Sequence, residues 1–166
     1  IDRNDVPPLT HANIENTFAS LYSQRTEMFE RGVLEVFRGL SWDYKTHTGV
    51  MFGKKLILRQ VIDCIGLVNH DGANRLDDLT RVLSVLDGQP EPDSRMGAYR
   101  TMAGARHVTG TEIAFKYFRV KLFKNGNGHL VFSRPDLVDK LNAILARHYP
   151  SALALSRDEG KSQDAE

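Results

Sequence analysis

One cysteine, Cys64, stands in the 166 residues. No internal disulfide can form, and a structural zinc site built on thiolates is excluded. Set in "QVIDCIGLV", the thiol reads as a buried structural one. Long apolar runs are lacking too, and no leader with an apolar core opens the chain. A cytoplasmic protein with no membrane partner is therefore expected. The chain begins at Ile1 rather than methionine, as a trimmed protein or a piece of a longer one would. Net charge is only +1 with a pI near 8.1, so bulk electrostatics does not announce a nucleic-acid binder, and such a role needs a local patch. The 6 histidines show no ligand spacing such as HxxxH, and there is no CxxC, nucleophile elbow, kinase signature or Walker sequence. No cofactor and no metal site are expected.

What is present suits one domain. An apolar fraction of 41% and a charged fraction of 26% match a globular protein, and a chain of this length buries roughly two thirds of its unfolded surface. Residues 1–155 read as a single α+β domain. Residues 156–166 are charged, lack apolar anchors and read as a disordered tail or linker.

The clearest local instructions lie in "YFRVKLFKNGNGHLVFSRPDLVDKLNAILARHY". From Ala114 to Lys124 polar and apolar residues alternate as in a half-buried strand. Phe118, Val120 and Leu122 take one face; Tyr117, Arg119, Lys121 and Phe123 take the other. "NGNG", Asn125 to Gly128, supplies residues that tolerate the positive φ of a hairpin turn. The return strand places Leu130 and Phe132 inward, His129 and Val131 outward. Ser133 is the expected cap of a helix whose first turn holds Pro135 and Asp136. Leu137, Leu141, Ile144, Leu145 and His148 then share one helical face. The outcome is a ββα unit.

Ahead of it, Pro7 and Pro8 close a polar lead-in, and Thr10 caps a long amphipathic helix ending near Gly39. Its broad stripe runs through Ile14, Phe18, Leu21, Arg25, Met28, Phe29, Val33, Val36, Phe37 and Leu40. Such a stripe needs a large partner surface and reads alike against a sheet or a second copy, so a homodimer through this helix is one expectation. Trp42, Tyr44, Lys45 and His47 follow as a polar-aromatic cluster, either a core plug or a pocket lining. "KKLILRQVI" has the composition of a buried strand, with a helix as the alternative that its periodicity leaves open. "NHDGAN" reads as a loop, with Asn74 capping a helix to Asp87 that Gly88 stops. The stretch from Gly88 to Gly110 is long for a compact domain and reads as a lid, a binding loop or a short helix.

Chemistry concentrates on the outward hairpin face. Tyr117, Arg119, Lys121 and Phe123 set cations between aromatics, with Lys124, Asn125, Asn127 and His129 close by. Cations neutralise phosphate and aromatic rings stack on bases, an arrangement that suits single-stranded DNA or RNA. The bland explanation is a water-facing side of a sheet with a helix on its other face, or a side covered by the long first helix. His129 beside Lys121 would also suit metal-free phosphodiester cleavage, with a lone histidine bonded to backbone carbonyls as the alternative. The acidic residues Asp71, Asp77 and Asp78 resemble a paired-carboxylate metal site, but a helix start attracts acidic residues through its dipole alone.

The segments "LSWDYKTHTGVMFGKKLIL", "LDDLTRVLSVLDGQPEPDSRMGAY" and above all "YFRVKLFKNGNGHLVFSRPDLV" resemble a bacterial domain family of unknown function. It is carried by prophages and other mobile elements, and found alone or beside DNA-methylase-like proteins. The likeness runs from about Leu21 to Leu153, and its pattern residues here are Tyr117, Phe118, Lys121, Phe123, Asn125, Gly126, Asn127, His129, Leu130 and Phe132. It brings no catalytic residues, and implies a place near DNA modification or restriction. The chain lacks a cofactor-binding glycine motif after a strand and a DPPY-like tetrad, so it does not resemble the methyltransferase itself.

The expectation is thus a small antiparallel sheet containing the hairpin, packed on a long N-terminal helix, a middle helix and the C-terminal helix. Its expected role is a nucleic-acid-binding accessory domain of a mobile-element defence or modification system. The alternatives are a protein-interaction or inhibitor module and a metal-free ribonuclease using His129 and Lys121.

Overall fold

The computed structural model describes residues 8–41, 51–93, 97–105, 110 and 112–149. Trp42, Tyr44, Lys45 and His47 lie outside the described residues, as does the segment 156–166. In chain order the elements are α1 (His11–Ser41), β1 (Lys55–Leu58), α2 (His70–Leu86), α3 (Ala98–Ala105), β2 (Glu112–Ala114), β3 (Phe118–Leu122), β4 (Gly128–Phe132) and α4 (Pro135–His148). The strands form one antiparallel sheet in the order β1-β4-β3-β2. This is the expected α+β class. Leu56, Leu130, Val120 and Ile113 make one inner row of the sheet, and they pack with Leu76, Leu79 and Leu83 of α2 and Leu137, Leu141 and Leu145 of α4 in one core.

Thr10 caps α1 as expected, its Oγ1 accepting from the Asn13 amide at 3.2 Å. The helix then departs from expectation. No side chain between His11 and Met28 is buried, and Phe18 and Met28 are 69% and 70% exposed. Packing begins at Phe29 and includes Val33, Phe37 and Leu40. The helix is longer than the body that the described residues form, so half of its apolar stripe overshoots them. What holds the packed half is partly polar: Glu30 accepts from Arg147 at 2.5 Å and meets His148 at 2.7 Å, while Arg38 donates to the Tyr149 hydroxyl at 3.1 Å.

Three local expectations are corrected. The middle helix is capped by Asn69, whose Oδ1 accepts from the Asp71 amide at 2.9 Å, so "NHDGAN" is helix rather than loop and Asn74 lies inside α2. Gly72 explains why: a Cβ there would sit 3.0 Å from Val61 Cα, so this glycine serves a close approach rather than a turn. Cys64 is exposed, not buried. Val61, Ile62 and Val68 of its segment reach the core, but Asp63 to Leu67 turn outward, with Asp63 Oδ1 accepting from the Ile65 and Leu67 amides at 3.0 and 2.8 Å. Ser133 does not cap α4; Arg134 holds that position without a side-chain cap bond, and Pro135 opens the first turn. The Ser133 amide is instead taken by the Tyr117 carbonyl at 2.9 Å.

The largest correction concerns Tyr117. The expected continuous strand breaks into β2 and β3, with the Phe115 amide bonded to the Phe118 carbonyl at 2.9 Å across a tight turn. The break shifts the alternation, so Tyr117 and Phe118 are neighbours yet both buried, at 2% and 0% exposure. The Tyr117 hydroxyl donates to Asp87 Oδ2 at 3.1 Å. Asp87 Oδ1 accepts from Arg134 at 3.0 Å, and Arg134 grips Asp136 through two bonds of 2.9 and 2.8 Å. That grip holds the Asp136 carboxyl below the usual carboxylate range. One carboxylate thus ties the end of α2 to the β2–β3 turn and the start of α4.

The hairpin tip carries a second tie. The Phe123 amide bonds the Asn127 carbonyl at 2.9 Å and the Gly126 amide bonds the Phe123 carbonyl at 3.0 Å. This is a three-residue loop whose left-handed position is Gly126, with φ +85°. Its carbonyl receives the Val61 and Ile62 amides at 2.8 and 3.2 Å, and a Cβ on it would meet the Ile62 carbonyl oxygen at 2.6 Å.

Asp87→Ala is expected to cost about 1–3 kcal/mol of stability in chemical denaturation, because the buried Tyr117 hydroxyl loses its acceptor. Adding Tyr117→Phe to it should recover part of that loss. Gly126→Ala should destabilise by more than the roughly 1–2 kcal/mol of a left-handed alanine alone, read as a lower urea midpoint, since backbone has to move as well.

Candidate functional site

The register of the four strands lays the outward residues in two rows. Ala114, Arg119, Val131 and Lys55 form one; Glu112, Lys121, His129 and Ile57 form the other. Alternation along each strand puts these opposite the core-facing residues, and none of the eight is buried. Among the described residues, α1 to α4 supply the core side, and no element lies over Arg119 and Lys121.

Three cations, Lys55, Arg119 and Lys121, stand on this face. Arg119 meets Glu112 at 3.4 Å with both side chains about half exposed, a surface pair worth at most about 1 kcal/mol and easily exchanged for another anion. Beyond the second row, the Phe123 ring lies 4.3 Å from the His129 ring between centroids, tilted by 46°. The Lys121 ammonium is 5.8 Å from the centre of Phe123. Lys121 and His129 are direct cross-strand partners. Partial burial pushes the His129 imidazole below its ordinary value of 6.5, and the charges of Lys55 and Lys121 push it the same way. The neutral imidazole is therefore the form present near pH 7.

Of the eight residues named from the sequence, Arg119, Lys121, Phe123 and His129 come together here. Tyr117 does not, being buried against Asp87. Lys124, Asn125 and Asn127 stand at the hairpin tip, where Asn125 Oδ1 accepts from the Asn127 amide at 3.1 Å. Lys124 and Asn125 line an open depression of about 540 Å³ together with Asp63, Cys64 and Asn69, beside the sheet face rather than on it. Lys55, Ile57 and Glu112 were missed. The strand composition of "KKLILRQVI" assigns neither Lys55 nor Ile57 to a face, and nothing local says that β1 pairs with β4.

The acidic residues do not converge. Asp77 Oδ1 accepts from the Ala98 amide at 2.7 Å at the start of α3, and Asp78 pairs with Arg81 at 3.2 Å. Among the described residues no three of His, Cys, Asp and Glu are placed to hold a metal ion. Nor is any helix among them long and apolar enough to cross a membrane.

Against this geometry, a model of the family described as Domain of unknown function (DUF4942) matches residues 1–151. The chain belongs to that family. No curated protein and no solved structure matches it.

The lowered His129 value has a sign. Between the folded value and 6.5 the unfolded chain binds the proton and the folded chain does not, so stability rises with pH across that window and is fully present above it. An NMR titration of the His129 ring should give a midpoint below 6.5, moving up toward it in the Lys55→Gln, Lys121→Gln double variant. His129→Gln should flatten the acid side of the stability profile.

Proposed function

We propose that the open sheet face binds single-stranded nucleic acid through its backbone charge, with the Phe123–His129 ring pair as the stacking position. The observation that carries the reading is the row geometry: Arg119, Lys121 and Lys55 stand uncovered among the described residues, on strands that hold them at fixed separations of about 4.8 Å per strand. Phosphate contacts by Lys and Arg need no base recognition, and a base can stack on an aromatic ring whatever its identity. Arg119 and Lys121 contact phosphate, Lys55 extends the track across β4, and Lys124 prolongs it at the hairpin tip. Tyr117 has no part in this surface. The chain's net charge of +1 makes the contact local rather than a property of the whole molecule.

The likeness to mobile-element proteins found beside DNA-methylase-like partners gives this binding a setting. The domain acts as an accessory module of a modification or defence system, in the cytoplasm, delivering or retaining a displaced strand.

A second reading has one observation behind it. Lys121 and His129 are cross-strand partners, and a neutral imidazole is available as a base next to a cation. Metal-independent cleavage of RNA in EDTA, abolished by His129→Ala, is the result that would favour it.

Binding of a fluorescent oligonucleotide is expected to weaken with salt. The Arg119→Ala, Lys121→Ala double variant should lose at least tenfold in affinity, and the slope of log K against log[salt] should fall by about 1.4 for two lost phosphate contacts. Phe123→Ala should weaken binding without changing that slope. Salt-independent binding, or a double variant that binds as well as the parent, would sink the proposal in favour of a protein-interaction module.

A further inference from the structure

We infer that the free half of α1 is a self-association surface whose occupant is the same half-helix of a second copy, laid antiparallel. Between His11 and Met28 the exposed stripe is Ile14, Phe18, Leu21, Arg25 and Met28, separated by alternating steps of four and three residues. That is the 3.5-residue period of a coiled-coil seam, which suits another helix. The packed half of the same helix uses Phe29, Val33, Val36 and Leu40, a stripe lying roughly a quarter turn further round the axis. The free seam is therefore not a frayed continuation of the buried face.

Size and charge select the occupant. Ile14, Phe18, Leu21, Tyr22 and Met28 are 37%, 69%, 55%, 76% and 70% exposed. Covering them in both copies removes on the order of 1,000 Å² from water, the lower limit for a specific interface. A parallel pair would stack Arg25 on Arg25 within one seam layer. An antiparallel pair centred between Ala19 and Ser20 sets Phe18 against Leu21 of the second copy. Arg25 then stands beside Ile14 of that copy, one residue from its Glu15. The antiparallel course also opposes the helix dipoles and leaves the two bodies at opposite ends of an overlap about 27 Å long. About five helical turns that pack on no other element among the described residues are marginal alone, and the pairing supplies what they lack.

Sedimentation velocity of the full chain across a concentration series should show a reversible monomer–dimer equilibrium. Phe18→Glu and Leu21→Glu should each weaken it at least about a hundredfold while leaving the thermal midpoint of the monomeric body unchanged. With Cys64→Ser and a spin label at Glu27→Cys, the antiparallel pair predicts labels separated along the axis by about 22 Å, whereas a parallel pair brings them within about 15 Å. Any of three results would overturn the inference. These are a chain that stays monomeric throughout, a dimer indifferent to both substitutions, and a monomer whose fold Phe18→Glu destabilises. The last would mean that another segment of the same chain covers the seam.

Discussion

The backbone of Val61 is held between two glycines, and the rest of the fold depends on that clamp. On one side Gly126 at the hairpin tip receives the Val61 and Ile62 amides on its carbonyl. On the other, Gly72 lets the first turns of α2 come to within 3.0 Å of Val61 Cα, measured from where a Cβ would be. At Gly126 a Cβ would collide with the Ile62 carbonyl oxygen, and at Gly72 it would fit only if the backbone of Val61 gave way by a few tenths of an ångström. Together they bring the segment after β1 against the turn between β3 and β4, so β1 takes its place at the edge of the hairpin and α2 lies across the core side. The Asn69 amide, bonded to the Val61 carbonyl at 2.8 Å, closes the arrangement and sets the cap of α2 in the same stroke.

The second anchor is polar. Asp87 accepts from a buried tyrosine and from Arg134, at the point where α2 ends and α4 begins. With the Val61 clamp at one end of α2 and this carboxylate at the other, that helix is fixed at both termini and the sheet is pinned beneath it. The helices are thereby committed to one side. The opposite side of the sheet is left with Lys55, Arg119 and Lys121 outward and with His129 neutral among them, and the proposed nucleic-acid contact rests on that electrostatic character.

Much of this was legible locally. Period-two alternation marked β3 and β4, the Gly-rich turn between them, and the glycine that ends α2. The errors share one cause. Tyr117 was assigned outward because alternation was carried through Phe115 to Tyr117, where the chain turns; a turn resets the phase, and no residue there is a glycine or proline to announce it. "NHDGAN" reads as a loop and so hands the cap to Asn74, whereas Gly72 is a packing residue inside the helix that Asn69 caps. Set in "QVIDCIGLV", Cys64 reads as a buried thiol, but Asp63 folds the five residues from itself to Leu67 outward by accepting two of their amides.

By itself the sequence determined the α+β class, the hairpin with its inward Phe118, Val120 and Leu122, the N-terminal cap of α1, and the residues that could carry charge to a surface. These follow from periodicity and turn chemistry, which act over a few residues. Only the tertiary structure decided that Lys55 joins Arg119 and Lys121 in their rows, that Tyr117 is a buried donor, and that α1 runs past the body. Those outcomes depend on which strand pairs with which and on how long a helix is relative to the core beneath it. Both are relations between segments far apart in the chain, and no local pattern encodes them.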